Sequence, residues 1–182
     1  FDQSSLTRLR ISGPDALTLL NRLCAGNIDT EVGRIVYTPM LNQRGGCESD
    51  VIVVRDAADT FYFVTSSAQA IRDVDWIKRN RRNDEQVEIE DISAATAVIG
   101  VMGPRSRELL ALLSDAHLQS TTLPYNTSRN IDVSLARVRA MRMTYVGELG
   151  YELHLRADQA AQLYDELLSA GQSLGARPAG YY

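Results

Sequence analysis

The stretch Gly33–Ser66, GRIVYTPMLNQRGGCESDVIVVRDAADTFYFVTS, carries the pattern that decides the fold. Three runs rich in β-branched and aromatic residues are separated by two short polar tracts, so each run reads as a strand and each tract as a turn. The first tract, Asn42-Gln43-Arg44-Gly45-Gly46, supplies glycines that accept positive φ, and Asp56 to Asp59 makes the second turn. Connections this short join neighbouring antiparallel strands, because a parallel pair needs a crossover of a dozen or more residues.

Outward from this meander the signals alternate. On its N-terminal side, Leu6 to Ile11 alternates as a strand, Ser12-Gly13-Pro14 breaks it, and Asp15 opens the helical run ALTLLNRLC. On the other side, SSAQAIRDVDWIKRNRRN from Ser66 predicts a helix with an N-cap serine, and QVEIEDIS predicts a short strand. TAVIGVMG then reads as a fully apolar strand ending at Gly103-Pro104, with Pro104 in the first turn of a helix over RSRELLALLSD. Ala116 to Asn130 is turn-rich and reads as irregular. VSLARVRAMRMTYV (133–146) predicts one long strand, Gly147-Glu148-Leu149-Gly150 a turn, YELHLRA the returning strand, and ADQAAQLYDELLSAG a helix stopped by Gly171. The tail from Gln172 to Tyr182 is too short for another unit.

Two passes of hairpins and helices predict an α+β protein with two lobes of antiparallel sheet flanked by helices, residues 1–90 forming the first lobe and 91–182 the second. VIGVMGPRSRE lacks both the GxGxxG spacing and a GK[ST] ending, so a nucleotide-binding glycine loop is not indicated. With 19 basic against 23 acidic residues, a general grip on nucleic acid or an anionic membrane has no support, and no apolar run reaches membrane-spanning length. The two cysteines, Cys24 and Cys47, read as reduced thiols in a cytoplasmic compartment, or in the mitochondrial matrix if the source is eukaryotic. His117 and His154 stand isolated and no CxxC occurs, so no zinc site is expected. Cys47 reads as a small strand hydrophobe.

Two places carry chemistry beyond the fold. In Arg44–Val54 an acidic pair and a serine open a strand that otherwise reads as buried, and partial desolvation there would favour a base. Capping of the hairpin accounts equally well for Asp50. In Thr144–Leu155, TYVGELGYELHL, period two places Tyr151, Leu153 and Leu155 on one face and Glu152 with His154 on the other. Glu152 and Glu148 then suit either plain solvated positions or a pocket that stacks a flat ring and reads its edge, since a carboxylate accepts two parallel N–H bonds.

Four ordered motifs, FDQSSLTRLRISGPDALTLLNRLC, YTPMLNQRGGCESDVIVV, VIGVMGPRSRELL and TYVGELGYELHL, together resemble the aminomethyltransferase family, the folate-binding fold of the glycine cleavage T-protein. YTPMLNQRGG, SSAQAIRDVDWIKRN and YVGELGYEL are most similar to the folate domain of FAD-dependent dimethylglycine and sarcosine dehydrogenases. The resemblance implies that Asp50 lies beside the folate nitrogens that accept the one-carbon unit, with Ser49 where the family often has a second aspartate. It implies that Glu152 holds the amino-oxo edge of the pterin, that Tyr145 lines the folate site beside Glu148 of the same motif, and that Tyr37 and Leu6 belong to the pocket.

The implied activity is enzymatic: a tetrahydrofolate module that captures a methylene unit from an iminium derived from a methylated glycine, giving 5,10-methylenetetrahydrofolate, with Asp50 as the catalytic carboxylate. Alternatives are the T-protein itself, with a lipoyl carrier protein as partner, or a non-catalytic folate-binding assembly module. The implied cofactor is tetrahydrofolate, joined by FAD if a dehydrogenase domain is attached N-terminally. Family members continue beyond the position of Ala179-Gly180-Tyr181-Tyr182 into more of the second lobe and a C-terminal barrel, so the expected partners are folate, an FAD amine dehydrogenase domain in the same full-length chain, and that barrel. Neither nucleic acid nor membrane is expected.

Overall fold

Strand β1 (Thr7–Ser12) and helix α1 (Ala16–Leu23) are followed by the meander β2 (Ile35–Leu41), β3 (Cys47–Ala57) and β4 (Thr60–Thr65), then α2 (Ala70–Asn80) and β5 (Glu88–Asp91). This order is repeated in outline by β6 (Thr96–Met102), α3 (Ser106–Ala111), β7 (Ser128–Val133), β8 (Ala136–Met141), β9 (Gly150–Arg156) and α4 (Ala160–Gly171). The computed structural model describes residues 1–180, so Tyr181 and Tyr182 at the end of the predicted tail lie outside the described residues.

The chain divides into two units, Ser5–Ser93 on one side and Phe1–Ser4 with the chain from Ala94 on the other. Phe1 and Gln3 hydrogen-bond the β6 backbone, with Gln3 N donating to Val98 O at 2.9 Å and Gly100 N donating to Phe1 O at 2.8 Å.

In Ser5–Ser93 the five strands are ordered β2-β3-β4-β1-β5, every pair antiparallel. Alternation sends Leu9, Ile11, Val51, Val53, Phe61 and Phe63 to one face, where they bury Leu19 and Leu20 of α1 and Ile77 of α2. Each such side chain removed from water contributes about 1.5–3 kcal/mol, which fixes the register of β3: a slip of one residue would turn Val51 and Val53 to the wrong side. The turn before β3 uses Gly45 at φ 77, a conformation that favours glycine. Cys24 is packed in this core, and burial pushes its thiol up to about 12. Cys47, read as a strand hydrophobe, does begin β3 but is exposed.

In the second unit the order is β6-β9-β8-β7, again antiparallel. Ile99, Val101, Tyr151, Leu153 and Leu155 pack against Leu109 of α3 and Leu163 and Leu167 of α4. The α+β architecture of two antiparallel sheets flanked by helices therefore stands, with local corrections. The single long strand expected over 133–146 is a hairpin: Ser134 takes φ 51, Val133 pairs with Ala136, and β7 occupies residues read as irregular. Ser134-Leu135 lacks the glycine or asparagine that marks such turns, and alternation changes phase there unannounced. The strand also ends earlier, at Met141, so residues 142–149 form a loop longer than the expected four-residue turn.

Helix ends differ too. Ser66 caps no helix with its side chain; a 3₁₀ turn, Ser67–Gln69, leads into α2. Helix α4 runs through Gly171 and stops after a 3₁₀ turn at Gly175, whose φ of 75 is the left-handed end expected of a terminal glycine. Asp15 makes no cap bond to α1, and its carboxylate accepts from Gln86 N at 2.8 Å instead. Among the described residues no helix is long and apolar enough to cross a membrane.

Candidate functional site

Period two in β3 separates Ser49 from Asp50. Ser49 follows Val51 and Val53 to the helix-covered face, while Asp50 follows Ile52 and Val54 to the other. Buried Ser49 lies 2.8 Å from Asp73 Oδ2 of α2 and 3.0 Å from Gln69 Oε1, and Thr65 donates its hydroxyl to the same Asp73 oxygen. Asp73 is fully buried, so this cluster ties β3 and β4 to α2 from within the core. Asp73 is not among the residues expected from sequence, although its place four residues before Ile77 puts it on the buried face of α2.

Asp50 is exposed, against the expectation of a desolvated carboxylate at the mouth of a buried strand. It lies opposite Pro39 in the β2–β3 pairing, which brings Tyr37, two residues along β2 on the same face, within reach. The Tyr37 hydroxyl donates to Asp50 Oδ2 at 2.5 Å, and that bond holds the phenol above its ordinary pKa, so Tyr37 stays a donor at neutral pH. The other acid of the pair, Glu48, is taken up by Asn42, which donates at 2.7 Å, and by Arg72; these bonds hold its carboxyl below the usual range and fasten the hairpin to α2. Leu6 is half-buried just before β1.

The second unit holds Glu152 differently. Strand β9 lies between β6 and β8, and Glu152 faces Gly100 on one side and Met141 on the other. It is 3% exposed, which removes the solvent-facing alternative for a plain strand residue. His154, two residues on and 4% exposed, places Nε2 3.2 Å from Glu152 Oε2, and Gln3 Nε2 donates to Oε1 at 3.4 Å. Gly100 makes room for Gln3: a Cβ there would stand 2.5 Å from Gln3 Oε1. Neither Gln3 nor His154 was singled out as functional from sequence; the shared face of Glu152 and His154 was the available signal.

Tyr145 and Glu148 stand on the 142–149 loop, both exposed. The Tyr145 amide donates to Met102 Sδ at 3.4 Å. At the start of this loop Arg142 sits 5.1 Å from the centre of the Tyr151 ring and donates to Gly150 O at 3.2 Å, so the two ends are drawn together. Glu148 borders a groove of about 590 Å³ whose lining also includes Phe1, Met102, Arg105, Tyr164 and Arg177, but neither Glu152 nor Tyr145. Thus Tyr37 meets Asp50, and Glu152 meets Gln3 and His154, whereas Tyr145 and Glu148 stand together on the 142–149 loop. Among the described residues no group of three or more His, Cys, Asp or Glu is placed to hold a metal ion.

Comparison with known proteins agrees with this architecture. The chain is 38% identical to 4-methylaminobutanoate oxidase (formaldehyde-forming) of Paenarthrobacter nicotinovorans, over the whole of this chain and 22% of that protein. It is 33% identical to the mitochondrial pyruvate dehydrogenase phosphatase regulatory subunit of Mus musculus and 32% identical to mitochondrial dimethylglycine dehydrogenase of Rattus norvegicus, each over the whole chain and 21% of the relative. The chain thus spans about a fifth of the length of these relatives. Among solved structures, the glycine cleavage system aminomethyltransferase T of Bartonella henselae superposes with a TM-score of 0.78 at 24% identity, over 92% of this chain and 44% of that one, which shows the shared fold. The GCVT N-terminal domain family matches residues 1–182, and the chain belongs to that family.

Proposed function

We propose that this chain is a tetrahydrofolate-binding one-carbon transfer module in which Glu152 accepts the N–H donors of the pterin edge and Asp50, with Tyr37, attends the nitrogens that receive the carbon. The observation that carries the reading is the buried Glu152 carboxylate. A carboxylate offers about four lone-pair sites, and the bonds from Gln3 and His154 supply one to each oxygen, so capacity remains for a planar two-donor edge. Tetrahydrofolate supplies the two secondary amine nitrogens of the reaction.

The reaction class proposed is supported by relatives named 4-methylaminobutanoate oxidase (formaldehyde-forming) and dimethylglycine dehydrogenase, names that refer to N-methylated amines. An iminium CH2=NR2⁺ condenses with the two N–H groups of tetrahydrofolate; two C–N bonds form, the bond to the departing nitrogen breaks, and one N–H proton leaves with the amine R2NH while the other is released. The role of Asp50 is to take a proton in this step and to offset the positive charge of the iminium. Tyr37 donates to Asp50 and so fixes the orientation of its carboxylate. Neither serine nor cysteine is needed as a nucleophile. The expected setting is a longer protein with an FAD amine dehydrogenase domain upstream and a barrel downstream.

The T-protein reaction is the second enzymatic reading. A non-catalytic reading is favoured by one observation, the 33% identity to a protein named as a regulatory subunit. Product analysis on the full-length protein separates them: methylenetetrahydrofolate formed from a methylated amine supports transfer, dependence on an aminomethyl-loaded carrier protein supports the T-protein reaction, and folate binding without turnover supports the assembly module.

A further inference from the structure

The Glu152 carboxylate is held from two independent directions. One is its own strand: His154 follows two residues later on the same face, and the side chains of both are 3% exposed or less. A carboxylate oxygen accepts, so the 3.2 Å contact requires the proton on His154 Nε2. The other direction is the N-terminal segment, where Gln3, anchored by its own amide to Val98 O, donates to Oε1. Each oxygen therefore has its own donor, and rotation of the carboxylate about its last side-chain bond would break both. Directly opposite Glu152 in the strand pairing, Gly100 has no side chain and Met141 is apolar, while Val98 and Arg139 lie across from His154.

We propose that His154 is a positioning residue, which fixes the plane of the Glu152 carboxylate so that it meets two parallel N–H donors of the ligand edge. This rests on the folate reading and deepens it. A bidentate pair gains specificity from planarity, and a carboxylate free to rotate must be ordered when the ligand arrives. Loss of His154 should therefore be felt through Glu152 and at the two-donor edge of the ligand, not across the whole ligand.

The test is titration calorimetry on the full-length protein with two probes, tetrahydrofolate and an analogue whose ring lacks the 2-amino group. His154→Phe, which keeps a flat ring and removes the donor, should weaken tetrahydrofolate about three- to tenfold and the analogue less than about twofold. His154→Gln, which restores an N–H donor, should recover most of the loss, and it carries the test alone if the phenylalanine variant melts early. In a Glu152→Gln background, His154→Phe should add less than about twofold. Equal losses on both probes, or full additivity with Glu152→Gln while the wild type binds tetrahydrofolate normally, would overturn the role of His154 alone. Failure of the wild type to bind tetrahydrofolate would overturn the folate reading and this role with it.

Discussion

Strands β3 and β9 both carry acids within apolar runs, and the two strands treat those acids in opposite ways. In β3 alternation divides the polar residues: Ser49 goes inward to Asp73, and Asp50 stays exposed with Tyr37 as its partner. In β9 both polar residues share one face and are buried there together, and Gln3 joins them in the space that Gly100 leaves. An exposed carboxylate keeps its hydration and is free to exchange protons, which suits a group that must act as a base. A buried, doubly held carboxylate is a fixed acceptor, which suits recognition. The two acids thus meet different surroundings although their local sequences look equally polar, and the tasks proposed for them divide in the same way.

The largest expected effect falls on the exposed acid. Asp50→Ala should cut methylene transfer by about two to four powers of ten while folate affinity stays within a few-fold, as for a positioned acid-base group. If an amine dehydrogenase domain is attached, its half-reaction should be spared and formaldehyde should escape. Stopped-flow transfer kinetics on a variant that melts like wild type decide this, and near-normal transfer would return Asp50 to a hairpin cap.

Asp73 sharpens the contrast from inside the same strand pair. Asp73→Ala strips Ser49 and Thr65 of their buried acceptor, and should lower stability by about 2–4 kcal/mol in denaturant titrations. Because Ser49 faces away from Asp50, transfer by the folded fraction should be unchanged; a selective loss of transfer would join the two faces that alternation separates.

A smaller effect is expected at Glu85, where Arg22 grips both carboxylate oxygens, at 2.6 and 2.7 Å, and holds the acid down to about 2 from an ordinary 4.5. A lowered folded-state value means that the contribution is whole above about pH 4.5 and is lost as pH falls towards about 2. The pair lies near the surface, so about 1 kcal/mol or less is at stake. Melting curves of Glu85→Gln and wild type should differ at pH 6 and converge by about pH 2; a difference constant across that range would show that the ion pair contributes nothing.

The α+β class, the first meander and the paired face of Glu152 with His154 were legible because strand alternation and glycine-bearing turns are local signals. The hairpin at Ser134-Leu135 was not, since nothing in that dipeptide asks for a positive φ that Ser134 nonetheless adopts. Nor was the Gln3–Glu152 bond legible: it joins residues 149 positions apart, and only the β6–β9 pairing with the N-terminal segment laid along β6 brings them together. Asp73 hid for the same reason, its partners lying on two strands that sequence spacing alone does not align with α2. The exposure of Asp50 was missed because the apolar run after it suggested burial on both faces up to the strand's first residue.

The central claim is that a buried carboxylate on β9 reads the pterin edge, and Glu152→Gln tests it most directly, because it keeps shape while replacing one acceptor by a donor. Calorimetry with tetrahydrofolate on the full-length protein should show affinity weakened by about tenfold or more, the cost of setting N–H against N–H at a buried site. Unchanged affinity in a variant that melts like wild type would contradict the account and leave Glu152 a structural partner of His154.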